Sequence, residues 1–287
     1  MDLIVTLFEE ARAPALLEHA DGIIIGNERF ATRLTHSFKA EEIDRLIALA
    51  NRKKKRVYLS ANQLFDDTMI EEFVRFLDRI DADGLTGIVV ADLGVIEALG
   101  NGYRSVYNPE TLLTNAYDFN MLAQEAIRGA FVAKEITMDD IVRIGKTKAY
   151  ELFMVGHGHL NMFYSKRQLL ATYKDHYALD DDFHGRQDLR LRERMREQEE
   201  YPVFEDRAGT HVFRSRVFAT YAHLEELASV VDTLVIDTIF KDDDYALRVL
   251  QLYRDPDEAK ALLLQKDYGE TWDEGFLFRK TIYRNEV

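Results

Sequence analysis

Residues 22–61, GIIIGNERFATRLTHSFKAEEIDRLIALANRKKKRVYLSA, hold one complete strand–helix–strand unit. Gly22–Gly26 is an apolar run of β-branched residues between glycines, and Val57–Ala61 is a second apolar run. Between them, Ala40–Ala50 places Ile43, Leu46, Ile47 and Ala50 on a single helical face. Parallel neighbouring strands need a crossover of this length, and a helix with one apolar stripe can cover the sheet they form.

The alternation repeats outward from this unit. Strands are expected at Leu3–Leu7, Gly22–Gly26, Val57–Ala61, Gly87–Ala91, Ser105–Tyr107, Ala130–Ala133, Glu151–Val155 and Thr233–Asp237. Helical periodicity falls between them, with Ile70, Phe73, Val74 and Leu77 on one face of Thr68–Ile80 and a further helix at Asn115–Ile127. Eight such units predict an α/β fold, a (β/α)8 barrel of the TIM-barrel type, with an open doubly wound sheet as the alternative. The whole chain, 1–287, then reads as one barrel domain. The seventh and eighth strands are too far apart for a simple crossover, so residues 157–230 are read as an insertion. Within it, Gln187–Glu200 reads as a polar helix with Arg186, Arg190, Arg194 and Arg196 among acids, either a solvated helix or an anion and RNA contact. YPVFEDRAGTHVFRS, from Tyr201, reads as a hairpin turning at Asp206–Gly209. The tail alternates Phe276, Phe278, Lys280 and Ile282, the pattern of one more strand.

Composition bounds the chemistry. The 51 acidic side chains exceed the 37 basic ones for a net charge of −14, which disfavours free-standing binding to a phosphate backbone. With no cysteine, the sequence supplies no disulfide, thiol nucleophile or thiolate ligand for zinc or an iron–sulfur cluster. MDLIVTLFEE lacks a basic leader and no apolar run approaches a membrane span, so a soluble cytoplasmic protein is expected. Gly145-Lys146-Thr147 ends like a phosphate loop, but Asp140 stands where its first glycine belongs. Asp180, Asp182 and Gly185 begin like a calcium loop that fails at Leu191. Neither HExxH nor GxSxG occurs.

A barrel carries its site where strands run into loops at the C-terminal face. The polar residues there are Glu9, Asn27, Asn62, Asp92, Asn108, Lys134, Glu135, His157 and Asp237. They would bind a small carboxylate or carbonyl compound, with Lys134 as anion partner and His157 as titrating group. Asn62, Asp92 and Asn108 have the competing role of helix caps and turns. His157 and His159, two apart on an extended segment, have metal-ligand spacing, with His176 or His184 as a third candidate, though glycine-flanked histidines are more often loop residues. No metal site is assigned.

ELFMVGHGHLNMFYSKRQLLA, Glu151–Ala171, resembles the signature of peptidase family U32, the collagenase-like family of unknown catalytic type. Glu151, Leu152, His157, Gly158, Leu160, Tyr164, Ser165, Arg167, Leu169 and Leu170 match its pattern, while Asn161 and Gln168 replace its two cysteines. ADGIIIGNERFATR, VYLSANQLF, AFVAKEITMDDI, with Lys134 in place of arginine, and YPVFEDRAGTHVFRSR are similar to further blocks of the family in the same order. The Lys-Ile-Glu-Gly block is degraded to Val235-Ile236-Asp237-Thr238. The resemblance implies a barrel-like fold and a contested activity: peptidase, or partner in oxygen-independent hydroxylation of wobble uridine in tRNA, of ribosomal RNA or of a quinone. Those hydroxylations are associated with a four-cysteine iron–sulfur cluster, and the RNA ones with prephenate. The cysteine-free chain looks like the shorter of two paralogues found side by side in Gram-positive bacteria, the longer of which keeps the cysteines.

The reading is therefore an accessory component of prephenate-dependent tRNA wobble-uridine 5-hydroxylation, with no cofactor held through cysteine. Its partners would be the longer cysteine-bearing paralogue and, through it, tRNA, with no membrane association. A ligand site is expected from Asn62, Asp92, Lys134, Glu135, His157, Ser165 and Arg167. The alternative is a collagenase-like hydrolase acting through Glu135, His157 and Asp237 without a covalent nucleophile.

Overall fold

The computed structural model of the chain describes residues 1–34, 36–123 and 126–279. Strand and helix alternate from the start. β1 (Asp2–Thr6), α1 (Ala13–His19), β2 (Gly22–Gly26), α2 (Ala40–Arg52), β3 (Arg56–Ala61), α3 (Asp67–Leu77) and β4 (Gly87–Val90) come first. α4 (Leu93–Leu99), β5 (Ser105–Tyr107), α5 (Ala116–Met121), β6 (Ile127–Phe131), α6 (Met138–Thr147) and β7 (Glu151–Gly158) continue the pattern. The chain then forms a lobe of β8 (Asn161–Ser165), α7 (Leu169–Tyr177), β9 (Arg190–Glu193), β10 (Arg196–Asp206) and β11 (Gly209–Phe213). It returns through β12 (Val217–Ala219) and α8 (Leu224–Ala228) to β13 (Thr233–Ile236), and ends in α9 (Asp243–Arg254), α10 (Glu258–Tyr268) and β14 (Trp272–Asp273).

Strands β1 to β7 pair in sequence, all parallel, and β13 pairs both β1 and β7. That double pairing closes an eight-stranded parallel barrel, so the predicted fold stands and the open sheet does not. The registers pair Ile4 with Val235 and Val89 with Val106, inward residues of neighbouring strands. Ile4, Tyr58, Val89, Val106, Phe131, Phe153 and Val235 fill the interior as a packed core. Outside it, α2 buries the four residues of its predicted stripe, Ile43, Leu46, Ile47 and Ala50. Each large aliphatic side chain so buried contributes roughly 1.5–3 kcal/mol.

Three expectations change. The stretch read as a polar helix is β9 and the start of β10, an antiparallel pair in which Arg192 stands opposite Glu200. β10 offers a partner strand, so the cross-strand ion pairs Arg192–Glu200 and Arg196–Glu193 replace the i,i+4 pairs expected of a helix. The hairpin after it is present, β10 with β11 turning at Asp206–Gly209, and β8 joins its far edge. The helix expected at Asn115–Ile127 ends at Met121, and Ile127 already belongs to β6. Tail residues 275–278 form a turn after β14, while Lys280 and Ile282 lie outside the described residues. No helix among the described residues is long and apolar enough to cross a membrane.

Candidate functional site

Above the apolar core, the C-terminal end of the barrel holds a cavity of about 90 Å³ between the strand ends and the lobe. Thr6, Asn62, Asn108, Lys134 and Asp237 reach it from strand ends, and Arg33, Glu110, His159 and Phe213 close it from above.

Two loops carry its charged centre. After β2, Phe30 packs among Phe65, Phe73 and Phe76, and Gln63 donates its amide to the carbonyls of Glu28 and Ala31. This anchor delivers Thr32 and Arg33 to the cavity mouth, with Arg33 at φ 59°. After β5, the Asn108 side chain accepts from the Glu110 amide at 3.2 Å, and Glu110 adopts φ 69°. Two non-glycine residues in the left-handed region at one site mark backbone strain held by its surroundings. They meet each other. Arg33 Nη2 donates to one Glu110 carboxylate oxygen and Lys134 Nζ to the other, and Lys134 also donates to the Asn161 carbonyl at 3.0 Å.

Two more carboxylates stand around these cations. Asp237 follows β13, accepts from the Ile239 amide at 3.2 Å, and is raised above the usual carboxylate range by burial, against the pull of Arg33 and Lys134. Asp206, from the β10–β11 turn, accepts from the Thr32 hydroxyl at 2.6 Å and the Arg33 amide at 3.0 Å. Burial alone would raise Asp206, but the nearby His211 ring, 3.8 Å away, and the hydrogen bonds from Thr32 and the Arg33 amide outweigh it and hold it low. His211 lies 2.8 Å from the Thr32 hydroxyl, stacks on Tyr164, and is shifted below the ordinary imidazole value by burial. Burial and the Arg33 guanidinium push the Lys134 ammonium well below its ordinary value; the Glu110 carboxylate in contact with both cations opposes that. Gly158 makes room for this arrangement: at φ 134°, a Cβ there would lie 2.0 Å from the Asp237 carbonyl.

Of the seven residues proposed from sequence, Asn62 and Lys134 line the cavity, and the other five do not. Asp92 caps α4, accepting from the Gly94 amide at 2.9 Å. Glu135 is exposed one residue beyond Lys134. His157 is fully buried behind the barrel wall, 2.8 Å from the Tyr245 hydroxyl of α9, and burial lowers its pKa to about 3. Ser165 sits at the end of β8 in the lobe, where its hydroxyl accepts from the Arg167 amide, and the Arg167 side chain is exposed. The histidine pair also separates, since His159 reaches the cavity and His157 does not. Among the described residues no cluster of histidine and carboxylate ligands is placed to hold a metal ion.

Glu135, His157 and Asp237, the candidate hydrolase set, therefore occupy a surface, a buried outer layer and the cavity respectively. Sequence reasoning missed Arg33, Glu110, Asp206 and His211 as site residues. Arg33 stood in view as the last residue of ADGIIIGNERFATR, and Asp206 and His211 stood in YPVFEDRAGTHVFRSR at the β10–β11 hairpin, while Glu110 sits in a loop; no local pattern records that the hairpin and this loop reach the barrel mouth.

A sequence profile described as peptidase family U32 matches residues 8–273. The tRNA hydroxylation protein P2 of Bacillus subtilis (strain 168) is 26% identical over 296 residues, covering 94% of each chain. The tRNA hydroxylation protein P of Escherichia coli (strain K12) is 23% identical over 323 residues, covering 91% of this chain and 71% of that one. The solved structure of the U32 peptidase Mk0906 superposes with a TM-score of 0.53 at 14% identity, over 84% of this chain and 94% of that chain, a likeness of fold.

Proposed function

The chain belongs to peptidase family U32, and from that membership we propose that it is an accessory subunit in tRNA hydroxylation, acting in prephenate-dependent 5-hydroxylation of the wobble uridine. One observation carries the reading: the correspondence with tRNA hydroxylation protein P2 runs end to end, over 94% of both chains. The peptidase alternative has no comparable support, because its three candidate residues share no site.

Chemistry assigns the division of labour. Hydroxylating a uridine requires a redox centre or an activated cosubstrate, and a chain without cysteine supplies no thiolates for an iron–sulfur cluster. A longer, cysteine-bearing family member is the proposed partner for that step. Charge points the same way, since a net −14 gives little long-range attraction for RNA, and the arginines of the lobe are partly spent on Asp188, Glu193 and Glu200. The contribution of this chain is then its cavity, proposed to hold a small carboxylate such as prephenate near Lys134 and Arg33, with Asn62 and Asn108 as neutral partners.

Affinity purification of a tagged copy from its host tests the partnership. The expected result is co-recovery of a longer, cysteine-bearing family member in stoichiometric amount. Recovery of the chain as a lone species contradicts it.

A further inference from the structure

Arg33 and Lys134 are the two cations of the cavity, their side chains 11% and 10% exposed, and a single carboxylate already spans both. That carboxylate is Glu110, contributed by the loop between β5 and α5. We propose that Glu110 is the resident occupant of a carboxylate subsite formed by Arg33 and Lys134, and that an incoming carboxylate takes its place and frees residues 109–112. The proposal deepens the cavity assignment made above and rests on it for the ligand class.

Charge balance requires an exchange rather than an addition. Around Arg33 and Lys134 stand Glu110, Asp206 and Asp237, so the two cations already face three carboxyl groups. A further anion entering this largely enclosed site would leave uncompensated buried negative charge, which is costly. One carboxylate group that replaces another leaves the balance at the two cations unchanged.

Only one of the three anions is free to leave. Asp237 is enclosed at the end of β13. Asp206 accepts from the Thr32 hydroxyl and from the amides of Arg33 and Ala208, which fix it at the β10–β11 turn. The Glu110 backbone makes two long hydrogen bonds, its amide donating to the Asn108 side chain at 3.2 Å and its carbonyl accepting from the Lys134 amide at 3.4 Å, and the exposed Thr111 and Leu112 follow it. Its backbone at φ 69° is strained for a side-chain-bearing residue, and leaving the site relieves that strain. The loop remains tied at its far end, where the Leu113 carbonyl accepts from the Ala133 amide at 3.0 Å, so the movement is confined to residues 109–112.

The test combines calorimetry with amide hydrogen exchange on the full chain, using prephenate, phenylpyruvate and malate as probes. Binding to the wild-type protein is expected to speed exchange in a peptide spanning 108–115 at least several-fold. Glu110→Gln, which removes the competing carboxylate, is expected to bind the same probe at least tenfold more tightly. If the variant fails to fold, the exchange measurement on the wild type decides alone. A probe that binds without changing exchange at 108–115, and no more tightly to Glu110→Gln, overturns the proposal while leaving the ligand assignment standing. Binding of malate or phenylpyruvate with the expected exchange, and none of prephenate, supports the proposal and removes prephenate from the proposed function. Failure of all three probes to bind either protein overturns it, and leaves the tRNA reading to its own test.

Discussion

Lys134 and Arg167 are both cations of the family-like blocks, yet they stand in opposite surroundings, and substitution should separate them. Lys134→Met removes a charge-assisted contact from a nearly enclosed site, and such contacts are worth about 1.5–3 kcal/mol. Calorimetry should show carboxylate binding weakened by roughly ten- to a hundredfold. Arg167→Ala changes an exposed side chain outside the cavity and should leave binding within about twofold. Equal effects of the two would mean that the ligand sits elsewhere. His157 gives a pH prediction of definite sign. Its folded-state pKa of about 3 lies below that of the unfolded chain, near 6.5, so the unfolded state takes up the proton first as pH falls. Its stabilising contribution is complete above about pH 6.5 and is lost at up to about 1.4 kcal/mol per pH unit below it. The ring resonances of His157 should therefore stay those of neutral imidazole from pH 8 to pH 5. A midpoint inside that range contradicts its placement. The reason its sequence reading failed is local: the register between β7 and β13 slips between Val235 and Ile236, with Val155 and His157 as their respective partners. This bulge at Gly156 turns His157 outward although Phe153 and Val155 point in. The strand was expected to stop at Val155, which put His157 at the mouth, whereas β7 runs on to Gly158. The same rule about strand ends found Asn62 and Lys134, which line the cavity.

Among the elements, the junction of β1 and α9 is set by Asp243. The first residue of α9, it accepts from the amides of Phe8 and Glu9 beyond β1 and is 2% exposed. Burial raises its carboxyl to about 6, against those two hydrogen bonds. Because the folded value exceeds the unfolded one, the stability it contributes is present below about pH 4 and is lost as pH rises through 6. Asp243→Asn keeps an acceptor without the titration. In urea unfolding its advantage over wild type should be about 2 kcal/mol greater at pH 7.5 than at pH 4.5. An advantage independent of pH would contradict the assigned shift. Barrel strands and helices were readable because each is a local pattern of period 2 or 3.6 facing a buried layer. In the lobe that condition fails: Arg190–Glu193 is exposed along its whole length, so its charges fit a helix or a strand equally well. Only its pairing with β10 decides between them, and that contact lies outside the reach of a local pattern.

For the whole molecule, the alternation of eight strands and their helices pointed to a barrel but left an open doubly wound sheet as the alternative, because each parallel pair demands its own crossover in either fold and only the meeting of the last strand with both β1 and β7 closes the ring. The site was less legible, since its charged centre is assembled from Arg33, Glu110, Lys134, Asp206 and Asp237, residues far apart in sequence that meet only when the ring and the lobe are both formed. Family membership and the end-to-end likeness to a tRNA hydroxylation protein give this assembly its proposed role. The most direct measurement is mass spectrometry of nucleosides from tRNA of a strain lacking this gene. Loss of 5-hydroxyuridine and its derivatives, restored by a plasmid copy, is the predicted result; an unchanged nucleoside profile would contradict the account.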